Sequence, residues 1–223
     1  EATGIDDVVA HRWPRTEWFD YEALAQQAAA LQARSDPCLM VANGNIFESS
    51  WYMRGFERML MDFVTAPELA HAILSRVADF QTRHFTCMLE AAGGRIDLAF
   101  TADDIGGQHG LLLSLDMWEE FIKPYHQRLN QAIHELGARV IYHTDGAVME
   151  AVDGLVDMGI DVLQALQFSA AGMDPAQLKT RHGERLCFEG GVSVQTTLPF
   201  GAADEVEQEV RMPLTGDHSL YHL

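Results

Sequence analysis

His143-Thr144-Asp145-Gly146 places an imidazole and a carboxylate two residues apart, directly after a short apolar run. Residues two apart in an extended chain point the same way, so His143 and Asp145 can present their side chains to one point. The pair suits a divalent metal, because nitrogen and oxygen are both good zinc ligands. It equally suits a histidine acid or base oriented by a carboxylate. A strand-end histidine bonded to neighbouring backbone satisfies the same pattern. Gly146 relieves the backbone before the next helix. Asp103-Asp104 is followed by Ile105-Gly106-Gly107-Gln108. Two adjacent carboxylates cannot face one point from a strand, so one is expected in the cavity while the other caps the loop. A carboxylate among others can have a raised pKa and donate a proton. Asx-turn residues ahead of glycines are the plainer reading.

Glu48 precedes Ser49-Ser50-Trp51, either as a pocket acid or as a residue near a helix start. Glu189 stands before Gly190-Gly191; buried at a strand end it would need a partner, and His143 is a candidate. Ser169, Ser193 and the cysteines lack a supporting nucleophile motif, and Cys187 reads as a core thiol. The catalytic candidates are therefore His143, Asp145 and Asp103, with His143 and Asp145 also candidate metal ligands. Glu48, Trp51, Asp104, Gln108, Gln164 and Glu189 are the candidate substrate-lining residues.

These groups need strand ends to hold them. Short apolar runs at 38–42, 96–100, 139–143, 161–165 and 186–189 have strand length and turn or charged boundaries. Helices alternate with them. Thr65-Ala66-Pro67-Glu68 reads as a capping box with proline in the first turn, opening a helix to about Ala92 that stops at Gly93-Gly94. A second helix after Ser114 carries Trp118, Phe121, Ile122, Tyr125, Leu129, Ala132, Ile133 and Leu136 at helical spacing. Asp174-Pro175 opens a short helix ending near His182, and an acidic helix runs from Asp204 to about Arg211.

Strand–helix alternation predicts an α/β fold with a parallel sheet and right-handed crossovers. No GxGxxG or Walker loop follows any strand, which removes the usual support for a doubly wound nucleotide-binding sheet. Polar residues stand directly after nearly every strand, as on the active face of a (β/α)8 TIM barrel.

The chain has 223 residues and a formal net charge of −18, with 48% hydrophobic and 22% charged residues. That is globular composition. The acidic balance argues against nucleic acid or an anionic membrane surface as the main partner, since both would repel it. No run approaches the roughly 18 apolar residues of a membrane helix. No signal peptide is visible in Glu1-Ala2-Thr3-Gly4-Ile5-Asp6-Asp7. Three widely spaced cysteines form no disulfide framework, so a cytoplasmic location is expected.

Read together, Asn45–Glu57, Asp103–Gln108, His143–Gly146 and Phe188–Val192 resemble the uroporphyrinogen decarboxylase family, with looser similarity from Trp13 to Val210. The resemblance implies a (β/α)8 barrel enzyme of one of two kinds. Cofactor-free decarboxylases remove acetate carboxyls from uroporphyrinogen III in porphyrin biosynthesis. Zinc-dependent methyltransferases pass a methyl group between the cobalt of a corrinoid protein and a thiol or other acceptor. The decarboxylases resemble one another in an N-terminal arginine-rich motif that grips carboxylates, which this chain does not contain. The methyltransferases typically carry His-x-Cys where this chain has His143-Thr144-Asp145, plus a later cysteine, and none follows Cys187. That leaves a nitrogen and oxygen site, or no metal. The methyl-transferring branch is the preferred expectation, acting on a small molecule with a corrinoid partner. Decarboxylation without a cofactor is the alternative, and an inactive or purely binding barrel is the third reading.

A complete (β/α)8 barrel takes about 250 residues. With five strand-length runs and a Met212–His218 stretch unlike the family's closing segment, residues 1–223 are expected to be one partial barrel domain lacking N- and C-terminal parts. Exposed sheet edge would then make it poorly stable alone.

Overall fold

A computed structural model describes residues 4–34 and 36–211. The Met212–His218 stretch lies outside the described residues. Among the described residues there are five strands: β1 (Met40–Asn45), β2 (Leu98–Ala102), β3 (Arg139–His143), β4 (Val162–Ala165) and β5 (Cys187–Gly190). Their order is β1-β2-β3-β4-β5, and the pairings β1 with β2, β3 with β4 and β4 with β5 are parallel. A doubly wound sheet reverses its strand order, whereas strands in simple chain order with helices between them have the topology of part of a (β/α)8 barrel. No helix among the described residues is long and apolar enough to cross a membrane.

The chain forms two compact units. The first holds residues up to Asp103 together with Asp116–Val140. It contains α1 (Ile5–Ala10), α2 (Tyr21–Gln32), β1, α3 (Phe47–Arg54), α4 (Phe56–Thr65), α5 (Pro67–Ala92), β2, α6 (Leu115–Phe121) and α7 (Lys123–Glu135). α5 buries Leu69, Ile73, Leu74, Val77, Phe85, Met88 and Leu89 at three- and four-residue spacings, the stripe an amphipathic helix needs. It ends as expected at Gly93, whose left-handed backbone (φ 60°) lets its amide close on Leu89 and Glu90 carbonyls. Its start differs from expectation. Ala66 occupies the cap position, and the Thr65 hydroxyl bonds back to the Met61 carbonyl at 2.9 Å instead of capping.

The single helix expected after Ser114 is two. α6 stops at Phe121 and α7 starts at Lys123, with Pro124 in its first turn. Proline lacks an N–H and clashes with the preceding turn, so it begins a helix instead of continuing one. Trp118, Phe121, Ile122, Leu129 and Ile133 are nonetheless buried as the stripe predicts. β1 and β2 each start two residues further along the chain than the apolar runs suggest. β1 runs through Asn43-Gly44-Asn45 by a bulge, with Asn43 at φ 84°. Gly44 is needed there, because a Cβ would sit 2.7 Å from the Thr101 methyl.

The second unit holds Asp104–Leu115 and, of the described residues that follow, Ile141–Arg211. It contains most of β3, then α8 (Val152–Asp157), β4, α9 (Pro175–His182), β5, α10 (Thr197–Phe200) and α11 (Ala203–Arg211). Its core includes Tyr142, Leu155, Leu163, Leu178 and Phe188. Asp174 caps α9 by accepting the Ala176 and Gln177 amides at 2.8 and 3.2 Å. Cys187 is exposed, not a core thiol, because the β5 alternation gives the inward position to Phe188.

Candidate functional site

Within the second unit, Asp104, His143 and Asp145 each offer a ligand atom, all lying within 4.8 Å of one another. His143 is the last residue of β3 and Asp145 is two residues on, so both project from the strand's carboxyl end. His143 Nε2 lies 3.7 Å from Asp104 Oδ1. The same Asp104 oxygen accepts the Asp145 amide at 2.9 Å, which fixes the Asp104 carboxylate against the turn carrying Asp145. All three residues are half-buried, so solvent-borne ligands can reach them. His143 Nδ1 is hydrogen-bonded to Gln164 Oε1, its direct register neighbour on β4.

The loop after β3 is stitched to the loop carrying Asp104. The Ile105 amide donates to Thr144 Oγ1 at 3.1 Å, and the Ala147 amide to the Gly107 carbonyl at 2.7 Å. Gly146 adopts φ 88°, and a Cβ there would meet Gly106 and Gly107 backbone at 2.6–2.7 Å, so only glycine allows this approach. Gln167 Oε1 accepts the Gly146 amide at 3.1 Å, and its Nε2 donates to Gln108 Oε1 at 3.1 Å. Gln108 is exposed. Glu189 pairs in register with Gln164 but is exposed, so it escapes the burial cost that made His143 its candidate partner.

In the first unit, Asp103 is completely buried. Its carboxylate accepts the amides of Ile46 (3.3 Å), Phe47 (2.8 Å) and Glu48 (2.8 Å). It thereby caps α3, whose own cap residue Ile46 has no polar side chain. His126 Nε2 donates to the same carboxylate at 2.5 Å. Glu48 is half-buried and accepts a hydrogen bond from Asn45 Nδ2. Trp51 is half-buried beside Tyr52 and Phe56, with ring centroids 4.2 and 5.2 Å away, and its indole N–H is buried without a hydrogen-bond partner.

The structure thus brings together His143, Asp145, Asp104 and Gln164, with Gln108 reached through Gln167. One buried partner, His126, has no place in the sequence expectations, although it sits on the buried stripe of α7 between Ile122 and Leu129, where a polar residue was a usable signal. Gln167 stands with Gln164 among the polar residues after the fourth apolar run, but its bond to Gly146 depends on the folded backbone. Chemically, one imidazole and two carboxylates form a nitrogen and oxygen donor set for a divalent cation, and their negative charge offsets that of the ion. The same set can also orient a histidine acid or base.

The family model for uroporphyrinogen decarboxylase (URO-D) matches residues 21–221. It starts after Trp13 and continues past Val210. No curated protein matches the chain. Among solved structures, a methyltransferase from Methanosarcina mazei is similar at TM-score 0.69 and 17% identity, over 88% of this chain and 54% of its own. At that identity the likeness shows the fold, and this chain spans about half the length of that methyltransferase.

Proposed function

The chain belongs to the uroporphyrinogen decarboxylase family, and from that premise we propose that it is an enzyme of the methyl-transferring branch, acting on a small-molecule acceptor with a corrinoid protein as partner. The observation that carries the proposal is the convergence of Asp104, His143 and Asp145 within 4.8 Å. Their donors suit zinc or another divalent ion that accepts nitrogen and oxygen. In this reading the family's usual thiolate position is taken by Asp145. A divalent ion held there would lower the pKa of an acceptor thiol or hydroxyl and make it nucleophilic at neutral pH.

The chain's own residues have separate tasks. His143 offers Nε2, and Asp104 and Asp145 offer carboxylate oxygens. The hydrogen bond from the Asp145 backbone N–H to Asp104 Oδ1 ties the Asp104 carboxylate to the turn that carries Asp145. Gln108 and Glu189, in the same unit, are proposed to line the acceptor's path. Asp103 is assigned a structural task, holding the amides that open α3, because its oxygens already receive those hydrogens and that of His126.

The test is methyl transfer from a methylated corrinoid to a simple thiol, with and without added zinc. The proposal expects metal-dependent loss of the cobalt-bound methyl, abolished in His143→Ala. Stepwise removal of carboxyls from uroporphyrinogen III by the same protein would overturn it in favour of decarboxylation. The net charge of −18 weighs against that polyanionic substrate.

A further inference from the structure

Gln164 and Gln167 flank two residues whose backbone is left-handed: Ala165 at φ 108° and Leu166 at φ 52°. Neither is glycine, so both conformations are strained. The neighbouring strand braces them. The Gly191 amide donates to the Ala165 carbonyl at 3.0 Å, and Gly190 lies so close to that carbonyl that any Cβ would collide with it. In a regular strand, positions 164 and 167 would face opposite sides. The left-handed pair breaks that alternation, and both carboxamides engage the segment carrying the candidate ligands. Gln164 Oε1 bonds His143 Nδ1, and Gln167 Oε1 takes the Gly146 amide.

We infer that Gln164 is the positioning residue of the site: its carbonyl oxygen holds the hydrogen on His143 Nδ1 and so makes Nε2 the lone-pair nitrogen turned toward Asp104. The inference rests on the proposed metal site, and it changes the expected role of Gln164 from lining substrate to orienting a ligand. A neutral imidazole has one N–H and one acceptor nitrogen. An amide oxygen can only accept, so the bond to Gln164 selects the Nδ1–H form. Nε2 then faces Asp104 Oδ1 at 3.7 Å, a separation that an ion between the two groups can occupy. Metal-bound histidines characteristically donate their second N–H to an oxygen acceptor that sets ring orientation and raises ligand basicity. The strained turn after β4 is the device that presents this acceptor and, three residues on, anchors the loop behind Asp145.

Two measurements test this. In metal-free wild-type protein above the histidine titration range, nitrogen-15 shifts of His143 should report hydrogen on Nδ1 and a lone pair on Nε2. The opposite tautomer overturns the inference without any substitution. Zinc or cobalt(II) titration of variants then separates the two readings. Gln164→Leu, which keeps size but loses the acceptor, should bind metal about 10–100-fold more weakly. Gln164→Glu, which keeps an acceptor, should stay near wild type or bind more tightly. If wild type and Gln164→Leu bind equally while His143→Ala does not bind, the inference about Gln164 fails and the metal site stands. If wild type takes up no metal, both fail.

Discussion

His126 Nε2 stands 2.5 Å from Asp103 Oδ2, and both side chains are completely shielded from solvent. The carboxylate also holds three consecutive amides at the start of α3. Removing one member of such a pair leaves the other buried without compensation. Asp103→Ala should therefore cost about 3–5 kcal/mol of stability. Asp103→Asn, which keeps the shape but loses the charge and misplaces a donor, should cost about 1–3 kcal/mol. Urea unfolding monitored by circular dichroism checks both. If Asp103→Ala unfolded like wild type, the carboxylate would be a functional group tolerated in the interior and not a brace.

Asp145→Cys should tighten zinc binding and, in cobalt(II)-substituted protein, introduce sulfur-to-metal charge transfer, because thiolate is a softer and stronger donor to both ions. Asp145→Ala should weaken binding by more than the roughly 10–100-fold typical of lost outer-shell contacts, since a direct donor disappears. An Asp145→Cys protein with a cobalt spectrum identical to wild type would place residue 145 outside the donor set.

Gly146→Ala should destabilise the second unit by at least about 1–3 kcal/mol, the usual price of a left-handed side-chain residue, with steric overlap against Gly106 and Gly107 in addition. It should also weaken metal binding, because relief of the overlap moves the turn that carries Asp145. Thermal unfolding and metal titration of the same variant test the two consequences separately.

Burial holds the pKa of His84 below its ordinary value of 6.5. The ring lies against Phe19 and Phe80, with centroids 4.4 and 5.4 Å away, and its Nδ1 is hydrogen-bonded to the Tyr21 hydroxyl at 2.7 Å. Below the ordinary histidine pKa the unfolded chain binds this proton more readily than the folded one, so stability rises with pH through that window and is lost on acidification. Comparing His84→Gln with wild type isolates the contribution. The wild-type advantage in unfolding midpoint should shrink between about pH 8 and about pH 5. A difference independent of pH would mean that His84 does not titrate with folding.

Much of this architecture was legible locally. β3, α5 and α9 follow signals carried by a few residues each: an apolar run ending in His143, Pro67 and Gly93, and Asp174 ahead of Pro175. β1 was less legible because Asn43-Gly44-Asn45 has the composition of a turn and becomes strand only by bulging against β2. The break between α6 and α7 was visible in Pro124 but hidden by the continuous apolar stripe. At the candidate site, the spacing of His143 and Asp145 pointed to a shared target, and the adjacency of Asp103 and Asp104 implied separate ones. Which aspartate went where depended on long-range partners, the α3 amides for Asp103 and the β3 turn for Asp104. The task inferred for Gln164 needed still more, since it depends on the register of β4 beside β3 and on a strained turn with no local sequence signature.

The proposed function requires that Asp104, His143 and Asp145 form one metal site. Its most direct test is metal content after equilibration with zinc and removal of excess, compared among wild type, Asp104→Ala, His143→Ala and Asp145→Ala. The prediction is about one tightly held zinc per wild-type chain and substantial loss in each variant, with circular dichroism spectra unchanged. Zinc uptake that is absent in wild type, or equal in all four proteins, would contradict it.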